Sequence, residues 1–507
     1  MKDKILFWLG VDYTNFCLAY SLQQKIDCEM YAIIDVTKKP RTFFETQHLV
    51  DFKNIWFFHD QIKKKSFKPD LEYLRKFEKK YKINLWQLVQ NERIFLYPSF
   101  HKFSNDETLQ ILEQECRFFE KILDEIKPDY FFTKLASFHH LELFFQMCKN
   151  TNTKVQAINF GLLGQNCIIT QEHEKLDMVE DFEHIETKNR NFDSLQKFMK
   201  SFDLTKQLEN NTIAPSRKTQ DQISASTEYF LKSDSGNTET HYPYYGRTKI
   251  KVFFYYLKDL LRTKKRKSYV DKNLIKNPPY DDAPFVYFPL HLEMERTLLI
   301  SAPYFTNQLE VIRNIAQSLP INFKLFVKEH PLQFARGWRS PNEYREIMKI
   351  PNVTLLHPSV DKNELYQKCS LIITIAGSAG FEGLFYGKPV ITFIDLNFSL
   401  LNSVDTITNL AELPKMIENS LSKKIDPSDL DRFVTLLEKS TTNFDYADFL
   451  TKFKKEFFYN GNLVDVEIPE TKMKSFLEKN GVLLDTLADA HIKKINWFKE
   501  KKSFDHS

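Results

Sequence analysis

Short apolar runs alternate with longer amphipathic stretches over the first third of the chain. The apolar runs have the length of buried strands and read ILFWLGV, MYAIIDV, IFLYP, DYFFT and VQAINF. Between these runs, apolar residues recur at helical spacing, as over residues 139–149, where they predict a helix. Because alternating strands and helices form a parallel sheet covered on both faces, residues 1–184 predict a Rossmann-like N-terminal domain. Residues 10–14 and 133–139 are then loops at the ligand edge of its sheet.

The second half of the chain repeats this alternation more regularly. Apolar runs predict strands at residues 285–288, 324–328, 353–356, 371–375 and 390–393, and amphipathic stretches predict helices at about 307–318, 342–349, 361–368 and 379–386. These elements predict a second doubly wound α/β domain over residues 281–410, followed by a helical segment over residues 411–507.

Residues 185–280 interrupt the pattern, because Asn, Thr, Ser, Gln and Lys dominate from Glu186 to about Gly246. This composition predicts a polar linker or insertion. It ends in a helix-like stretch in which aromatic and aliphatic residues precede the basic run Lys264–Lys267. Residues 253–267 therefore predict peripheral contact with an anionic membrane, although a charge run is more often simply solvated.

Charge and cysteine content exclude several classes of protein. The 71 Lys and Arg against 67 Asp and Glu give a net charge of +4, far too balanced for a protein that mainly neutralises a nucleic-acid backbone. The six cysteines form no CxxC pair or Cys/His cluster, which predicts reduced thiols and no zinc site. No segment reaches the roughly 20 apolar residues of a membrane helix. We expect a cytoplasmic protein without a nucleic-acid partner.

The strongest chemical signal is the segment LIITIAGSAGFEGLFYGKPVITF. Its strand ends in the turn Gly377, Ser378, Ala379 and Gly380, which leads directly into a helix. Backbone N–H groups and the positive end of the helix dipole favour a phosphate at such a turn. Glu382 lies in the first turn of the helix, where its carboxylate suits the dipole and can accept hydrogen bonds from a ribose. The alternative is a capped helix that packs closely on the sheet.

Two further loops at the same predicted edge carry cationic residues. Lys328 and His330 end the strand in KLFVKEHP, and His291 and Arg296 follow the strand in FVYFPLHLEMERTLL. Such groups can stabilise the charge that develops on a departing nucleoside phosphate, and they can replace a metal ion. Taken singly, a histidine before a proline is more often a structural turn residue.

These motifs resemble those of capsular polysaccharide biosynthesis glycosyltransferases, which are related to the Kdo transferases of capsule assembly and to other His-Pro motif enzymes. The resemblance covers residues 281–400. It implies a GT-B fold, in which two Rossmann-like domains face a cleft and the C-terminal one holds the nucleotide sugar. It also implies that His330 and Ser378 bind the donor phosphate and that Glu382 reaches the ribose. His291 and Arg296 match the first-loop motif of the family.

Candidates for the catalytic base lie in the N-terminal loops. An inverting transfer needs a base within hydrogen-bond reach of the attacking hydroxyl. Asp12 follows the first strand, and His139, His140 and Glu142 follow the strand that ends at Thr133. We expect Asp12 and His139 to serve, although each residue on its own is more typical of a helix cap or a surface position.

The sequence favours a metal-independent glycosyltransferase of surface polysaccharide assembly. It would need no cofactor, because the nucleotide sugar, with CMP-linked donors among those that the resemblance implies, is a substrate. The acceptor would be a polysaccharide or a lipid-linked glycan at the inner face of the cytoplasmic membrane. The alternatives are a sugar-nucleotide 2-epimerase, a polyol-phosphate transferase, and a non-catalytic polysaccharide-assembly protein.

Overall fold

The computed structural model describes residues 2–64, 68–164, 166–177, 179, 182–202, 219–232 and 236–504. The strands are β1 (Asp3–Leu9), β2 (Cys28–Ile34), β3 (Asn54–Phe57), β4 (Tyr130–Lys134), β5 (Lys154–Phe160), β6 (Asn166–Thr170), β7 (Phe285–Pro289), β8 (Lys324–Lys328), β9 (Val353–Leu356), β10 (Leu371–Thr374), β11 (Val390–Thr392), β12 (Val404–Thr406) and β13 (Thr442–Asp445).

The helices of the first half are α1 (Thr14–Leu22), α2 (Lys38–Thr46), α3 (Phe58–Gln61), α4 (Leu71–Tyr81), α5 (Leu85–Gln90), α6 (Arg93–Leu96), α7 (Asn105–Ile126), α8 (His139–Lys149), α9 (Phe192–Lys200), α10 (Thr219–Lys232), α11 (Asn237–Thr240) and α12 (Lys249–Asn273). Those of the second half are α13 (Gln308–Ser318), α14 (Pro341–Met348), α15 (Lys362–Lys368), α16 (Ser378–Leu384), α17 (Leu413–Leu421), α18 (Pro427–Ser440), α19 (Tyr446–Phe457), α20 (Glu470–Lys479) and α21 (Gly481–Phe504).

The chain folds into two compact units. The first unit contains Met1–Asp177, Phe202–Lys249 and Ser440–Ser507, and the second contains Met178–Ser201 and Ile250–Lys439. Each unit is built around one sheet, in the order β13-β6-β5-β4-β1-β2-β3 in the first and β12-β11-β10-β7-β8-β9 in the second. The predicted α/β fold class is therefore confirmed.

The first sheet carries an apolar core on each face. Along β1, Ile5, Phe7 and Leu9 pack into a core with residues of α1, α19 and α21, whereas Leu6 and Trp8 pack into a core with residues of α4, α7 and α8. This follows from the pleat, because successive side chains of a strand point to opposite faces. Strands β1 to β5 pair in parallel, while β6 and β13 are antiparallel additions at one side.

The last part of the chain is divided between the two units. We predicted a separate helical segment over residues 411–507, but α17 and α18 belong to the second unit, and β13 with α19, α20 and α21 belongs to the first. Phe444, Phe449 and Leu487 are fully buried in the same core as Ile5. The boundary differs because β13 pairs with β6, a partner far away along the chain that local patterns do not show.

One predicted strand is a helix. The run IFLYP falls in the short helix α6, which begins where the Glu92 carboxylate accepts a hydrogen bond from the backbone N–H of Ile94. None of the residues of α6 is buried, which is at odds with the predicted buried strand. An apolar run of this length fits either structure until its tertiary contacts are known.

The second sheet is parallel throughout its described strands. Its five predicted strands are present as β7 to β11, and β12 adds a further edge strand. The order places β10, β7 and β8 side by side. Since parallel strands end at the same edge, the loops that follow these three strands start as neighbours.

Candidate functional site

The site is built from the loops that follow β10, β7 and β8 in the second unit. His291 lies two residues beyond the end of β7, Lys328 ends β8, and the turn that starts at Gly377 follows β10. The three predicted loops thus lie at one sheet edge, with His330 in the loop after β8.

The His291 side chain holds the turn that follows β10. Its Nε2 accepts a hydrogen bond from the backbone N–H of Ala376, at 3.1 Å. Burial lowers the pKa of His291 to about 3, with His330 and Arg339 acting in the same direction, so the ring is neutral. The proton therefore sits on Nδ1, a buried atom without a partner among the described residues. His291 holds the backbone of the turn, which is a different role from the predicted contact with the donor.

Close packing explains two of the glycines in the turn. A Cβ atom at Gly377 would lie 2.9 Å from Oγ1 of Thr374 and 3.1 Å from Nε2 of His291. At Gly380 it would lie 3.0 Å from Cγ2 of Thr374 and 3.1 Å from Cγ1 of Val390. The packing alternative therefore accounts for these glycines, whether or not a phosphate binds.

Ser378 is exposed at the start of α16, and Ala379 beside it is half-buried. The Ser378 hydroxyl donates a hydrogen bond to Oε1 of Glu382, at 3.3 Å. The other oxygen of Glu382 accepts from the Tyr366 hydroxyl at 3.2 Å and contacts the Lys362 ammonium at 2.9 Å. The predicted ribose ligand is thus part of a polar cluster with α15, which places Lys362 at the site as well.

Lys328 and His330 are the groups best suited to an anion. Lys328 is 6% exposed, and its ammonium makes no hydrogen bond or ion pair with any described residue. Burial lowers its pKa to about 8, and Lys362 acts in the same direction. In His330, Nδ1 accepts a hydrogen bond from the backbone N–H of Leu332 at 3.1 Å. Burial, Lys328 and Arg339 lower the pKa of His330 to about 4, so the neutral ring carries its proton on Nε2 as a donor.

A buried ion pair fixes the loops that carry these residues. Glu329 and Arg339 are 0% and 1% exposed, and the Glu329 carboxylate accepts from Nε of Arg339 at 2.9 Å. The same carboxylate accepts from the Tyr344 hydroxyl and from the backbone N–H of His330, both at 2.6 Å. Arg339 also donates to the backbone carbonyl of His291. One guanidinium therefore sets the positions of both histidine loops.

Sequence reasoning missed this pair. Glu329 stands inside the motif VKEHP but received no role, and Arg339 follows Gly337 in a loop without a recognisable pattern. The predicted donor ligand Arg296, in contrast, donates to the Ser301 hydroxyl within its own loop, at 2.9 Å. Only the tertiary contacts distinguish the two arginines.

In the first unit, Asp12 lies at the end of β1 in contact with two groups. One carboxylate oxygen accepts a hydrogen bond from the backbone N–H of Thr14, the first residue of α1, at 3.1 Å. The other oxygen contacts the Lys134 ammonium at the end of β4. Asp12 remains 15% exposed, so a substrate hydroxyl can still approach it.

His139 is buried between two carboxylates. Glu92 and Glu115 each lie 3.1 Å from one of its ring nitrogens, and the ring is 1% exposed. Burial alone would lower the pKa of His139, but the two carboxylates raise it to about 10. An imidazolium cannot accept a proton, and a buried one cannot reach a substrate. The structure thus assigns His139 to a structural ion network in place of the predicted catalytic base.

The other two candidates in that loop are also in buried networks. His140 lies 3.2 Å from a carboxylate oxygen of Asp35 and 3.0 Å from the Tyr242 hydroxyl. Glu142 is 6% exposed and accepts a hydrogen bond from the Gln146 amide at 2.8 Å. Neither presents a free atom to solvent.

Part of this network has the composition of a metal site. The ligand atoms of Glu115, His139 and His140 lie within 4.8 Å of one another. Because His139 carries a proton between two carboxylates, that proton already supplies positive charge there. A metal ion bound there would have to displace that proton.

A known family model covers the segment that forms this edge of the second sheet. Residues 201–400 match the family model described as capsule polysaccharide biosynthesis protein. The predicted resemblance to this family is confirmed. The matched segment is less than half of the chain and contains all the candidate residues predicted in the second α/β domain, from His291 to Glu382. A search of curated proteins found no match.

Solved structures with distant similarity include two kinds of protein. One is KpsC, a beta Kdo 2,7 transferase of Thermosulfurimonas dismutans, with 13% identity, covering 70% of this chain and 88% of that one, and a TM-score of 0.30. Another is the UDP-GlcNAc 2-epimerase of Methanocaldococcus jannaschii in complex with UDP-GlcNAc and UDP, with 13% identity, coverage of 86% and 99%, and a TM-score of 0.25. Scores this low carry no argument about activity.

Arg339→Met tests the buried pair. The variant leaves the Glu329 carboxylate buried without its cation, so we expect a loss of about 3–5 kcal/mol in the free energy of unfolding of the second unit. Urea unfolding followed by circular dichroism measures it. The exposed Arg336 nearby provides the matched control Arg336→Met, and adding Glu329→Gln to Arg339→Met should recover part of the loss. Equal stability of the two single variants would contradict the assignment.

Proposed function

We propose that the chain is a glycosyltransferase that transfers a sugar from a nucleotide-activated donor to a growing surface polysaccharide or glycolipid acceptor. The observation that carries the proposal is that Lys328, His330 and the turn at Ser378 lie at one edge of the second sheet, the donor edge. The family match over residues 201–400 supports the biosynthetic role.

In the proposed reaction, the phosphate of the donor binds beside Lys328 and His330. Negative charge grows on the leaving nucleoside phosphate or diphosphate as the glycosidic bond breaks. A fixed ammonium and a fixed N–H donor stabilise that charge without reorganisation, because the Arg339–Glu329 pair already holds the loops. These residues then take the role that a metal ion has in other transferases.

The remaining roles follow from the same placement. Lys362 and Glu382, which pair with each other, lie where the nucleotide ribose would reach. Asp12 is the proposed general base for the acceptor hydroxyl, since it is the carboxylate of the predicted N-terminal loops that remains partly exposed.

We also propose that α12 attaches the enzyme to an anionic membrane at the cytoplasmic face, where a lipid-linked acceptor is presented. Asp259, Thr263, Arg266 and Val270 line the face of α12 that packs on the second unit, where Arg266 donates to the carbonyl of Trp338. The opposite region carries an exposed apolar stripe at helical spacing, formed by Ile250, Phe253, Phe254, Leu257, Leu260 and Leu261.

This stripe precedes exposed basic residues. Phe254 and Leu261 are 65% and 73% exposed, and Lys264 and Lys265 follow within the same helix. Apolar residues beside lysines suit insertion at the level of lipid headgroups. No helix of the described residues has the length and apolar composition needed to cross a membrane.

His330→Ala tests the function. The purified protein is incubated with a panel of nucleotide sugars and glycan or glycolipid acceptors, and the products are analysed by mass spectrometry. We expect a glycosylated acceptor and free nucleotide, and we expect kcat of His330→Ala to fall roughly 10- to 1,000-fold with a smaller change in KM, because the lost donor acts on charge that grows toward the transition state.

The exposed His184 of the second unit provides the control His184→Ala, which should match the wild type. The same products separate the alternatives: an epimerised nucleotide sugar indicates an epimerase, and a polyol phosphate on the acceptor indicates a phosphotransferase. Nucleotide binding without turnover of any donor in the panel would contradict an enzymatic role.

Vesicle sedimentation tests the membrane contact. We expect binding to anionic liposomes that weakens with added salt, since each lysine near the surface contributes only about 1 kcal/mol. Phe254→Ser with Leu261→Ser should abolish sedimentation, and Lys264→Gln with Lys265→Gln should reduce it at low salt. The exposed Lys349 and Lys424 provide a control pair of equal charge change. Failure of the wild type to sediment, with self-association through the stripe instead, would contradict membrane docking.

A further inference from the structure

A second cationic cluster lies at the carboxyl edge of the first sheet. Strands β5, β4 and β1 are neighbours, so the loop after β1, the end of β4 at Lys134 and the end of β5 at Phe160 share one edge. Helix α19 packs against the same loop, because Phe453 stacks on Tyr13 with ring centroids 5.0 Å apart. The loop after β1, the ends of β4 and β5, and helix α19 thus lie in one region of the first unit.

The charges in this cluster do not balance. The Lys134 ammonium contacts Asp12, and both side chains are mostly buried, at 25% and 15% exposure. Lys454 of α19 is a second, partly buried lysine that makes no hydrogen bond or ion pair with any described residue. Burial lowers its pKa, with Lys134 acting in the same direction and Asp12 against it. The electrostatic surroundings of Asp12 therefore contain two lysines, Lys134 and Lys454.

The position of Lys454 is set by its surroundings. Gly461 has φ +87, and a Cβ atom there would lie 3.4 Å from Cδ of Lys454, so the glycine turn closes over the lysine stem. Burying a charge without a partner is costly. Such a lysine at the ligand edge of a parallel sheet indicates that an anion completes the cluster when substrate is present.

An apolar surface adjoins these charges. Phe160 is 46% exposed at the end of β5, and its ring packs on Tyr446 at the start of α19 with centroids 4.9 Å apart. An exposed aromatic face beside convergent polar groups is typical of a site for a small polar ligand. A sugar ring has an apolar C–H face that fits such a surface.

We propose that Lys134, Lys454 and Phe160 form a binding site for an anionic sugar group, in which the lysines pair with a phosphate or a carboxylate and the phenyl ring covers the sugar. The inference rests on the proposed function, because it names the acceptor of that reaction as an acidic or phosphorylated glycan. The anion competes with Asp12 for Lys134, which leaves the Asp12 carboxylate beside the bound sugar and able to accept a proton from its hydroxyl.

Saturation-transfer NMR titrations test this site on the full chain. The probes are glucose 1-phosphate, glucuronic acid and the neutral methyl glucoside, so that a phosphate and a carboxylate are distinguished. We expect the wild type to bind at least one anionic probe about ten- to a hundredfold more tightly than methyl glucoside, as for hydrogen bonds to charged groups. Lys454→Met should lose that preference and Lys454→Arg should keep it.

Two further variants separate this site from the donor edge. Lys452 lies on the same helix, is 52% exposed and pairs with Asp448, so Lys452→Met should bind as the wild type does. Lys328→Met, in the second unit, reports whether the anionic probe binds at the donor edge. Melting curves check that each variant is folded, and replacing a partly buried lysine by methionine should not lower stability.

The titrations can either support or overturn the anion-binding site. Loss in Lys454→Met alone supports the site. An absent preference for anions in the wild type, or an unchanged one in a folded Lys454→Met, overturns it. If Lys328→Met loses the preference and Lys454→Met keeps it, the anion binds at the donor edge, and the inference fails while the proposed function stands.

Discussion

The donor edge of the second unit depends on one buried ion pair. Arg339 and Glu329 are almost fully excluded from solvent, and the buried Glu329 carboxylate is tolerable because the Arg339 guanidinium is in contact with it. Arg339 also contacts the carboxylates of Glu293 and Glu343. The pair also holds backbone of both loops, because Glu329 accepts from the N–H of His330 and Arg339 donates to the carbonyl of His291. The pair thus converts two loops into a rigid support for Lys328, which faces the same edge without a partner of its own.

The buried charges form two kinds of cluster, balanced and unbalanced. In the first unit, the network around His139 is complete, with a protonated ring between Glu92 and Glu115, and it leaves no group free for chemistry. At the donor edge and beside Asp12, each cluster keeps a lysine in excess, Lys328 in one and Lys454 in the other. Balanced clusters stabilise a fold, whereas unbalanced ones at the ends of parallel strands are suited to an anionic ligand.

The sequence predicted the features that depend on residues close together along the chain. Apolar runs predicted β7 to β11, and the rule that ligands bind beyond the carboxyl ends of parallel strands gathered Lys328, His330 and Ser378 at one edge. The sequence did not predict contacts between residues that are far apart along the chain. Nothing near His139 indicates that Glu92 and Glu115 contact it, and nothing near β13 indicates that it pairs with β6. The roles of Arg339, Lys362 and Lys454 likewise arise from contacts between segments that no single motif contains.

The most direct test of the account is the pH dependence of nucleotide binding at Lys328. Whichever of CMP and UDP binds more tightly is titrated calorimetrically from pH 7 to pH 9.5. Because the pKa of Lys328 is about 8 in the free protein, its charge is present below that pH and lost above it. The wild-type affinity should fall by about tenfold over this range and meet that of Lys328→Met, which should vary little, while Lys324→Met at the other end of β8 should follow the wild type. Parallel pH profiles for the wild type and Lys328→Met would contradict the claim that this edge binds the donor phosphate.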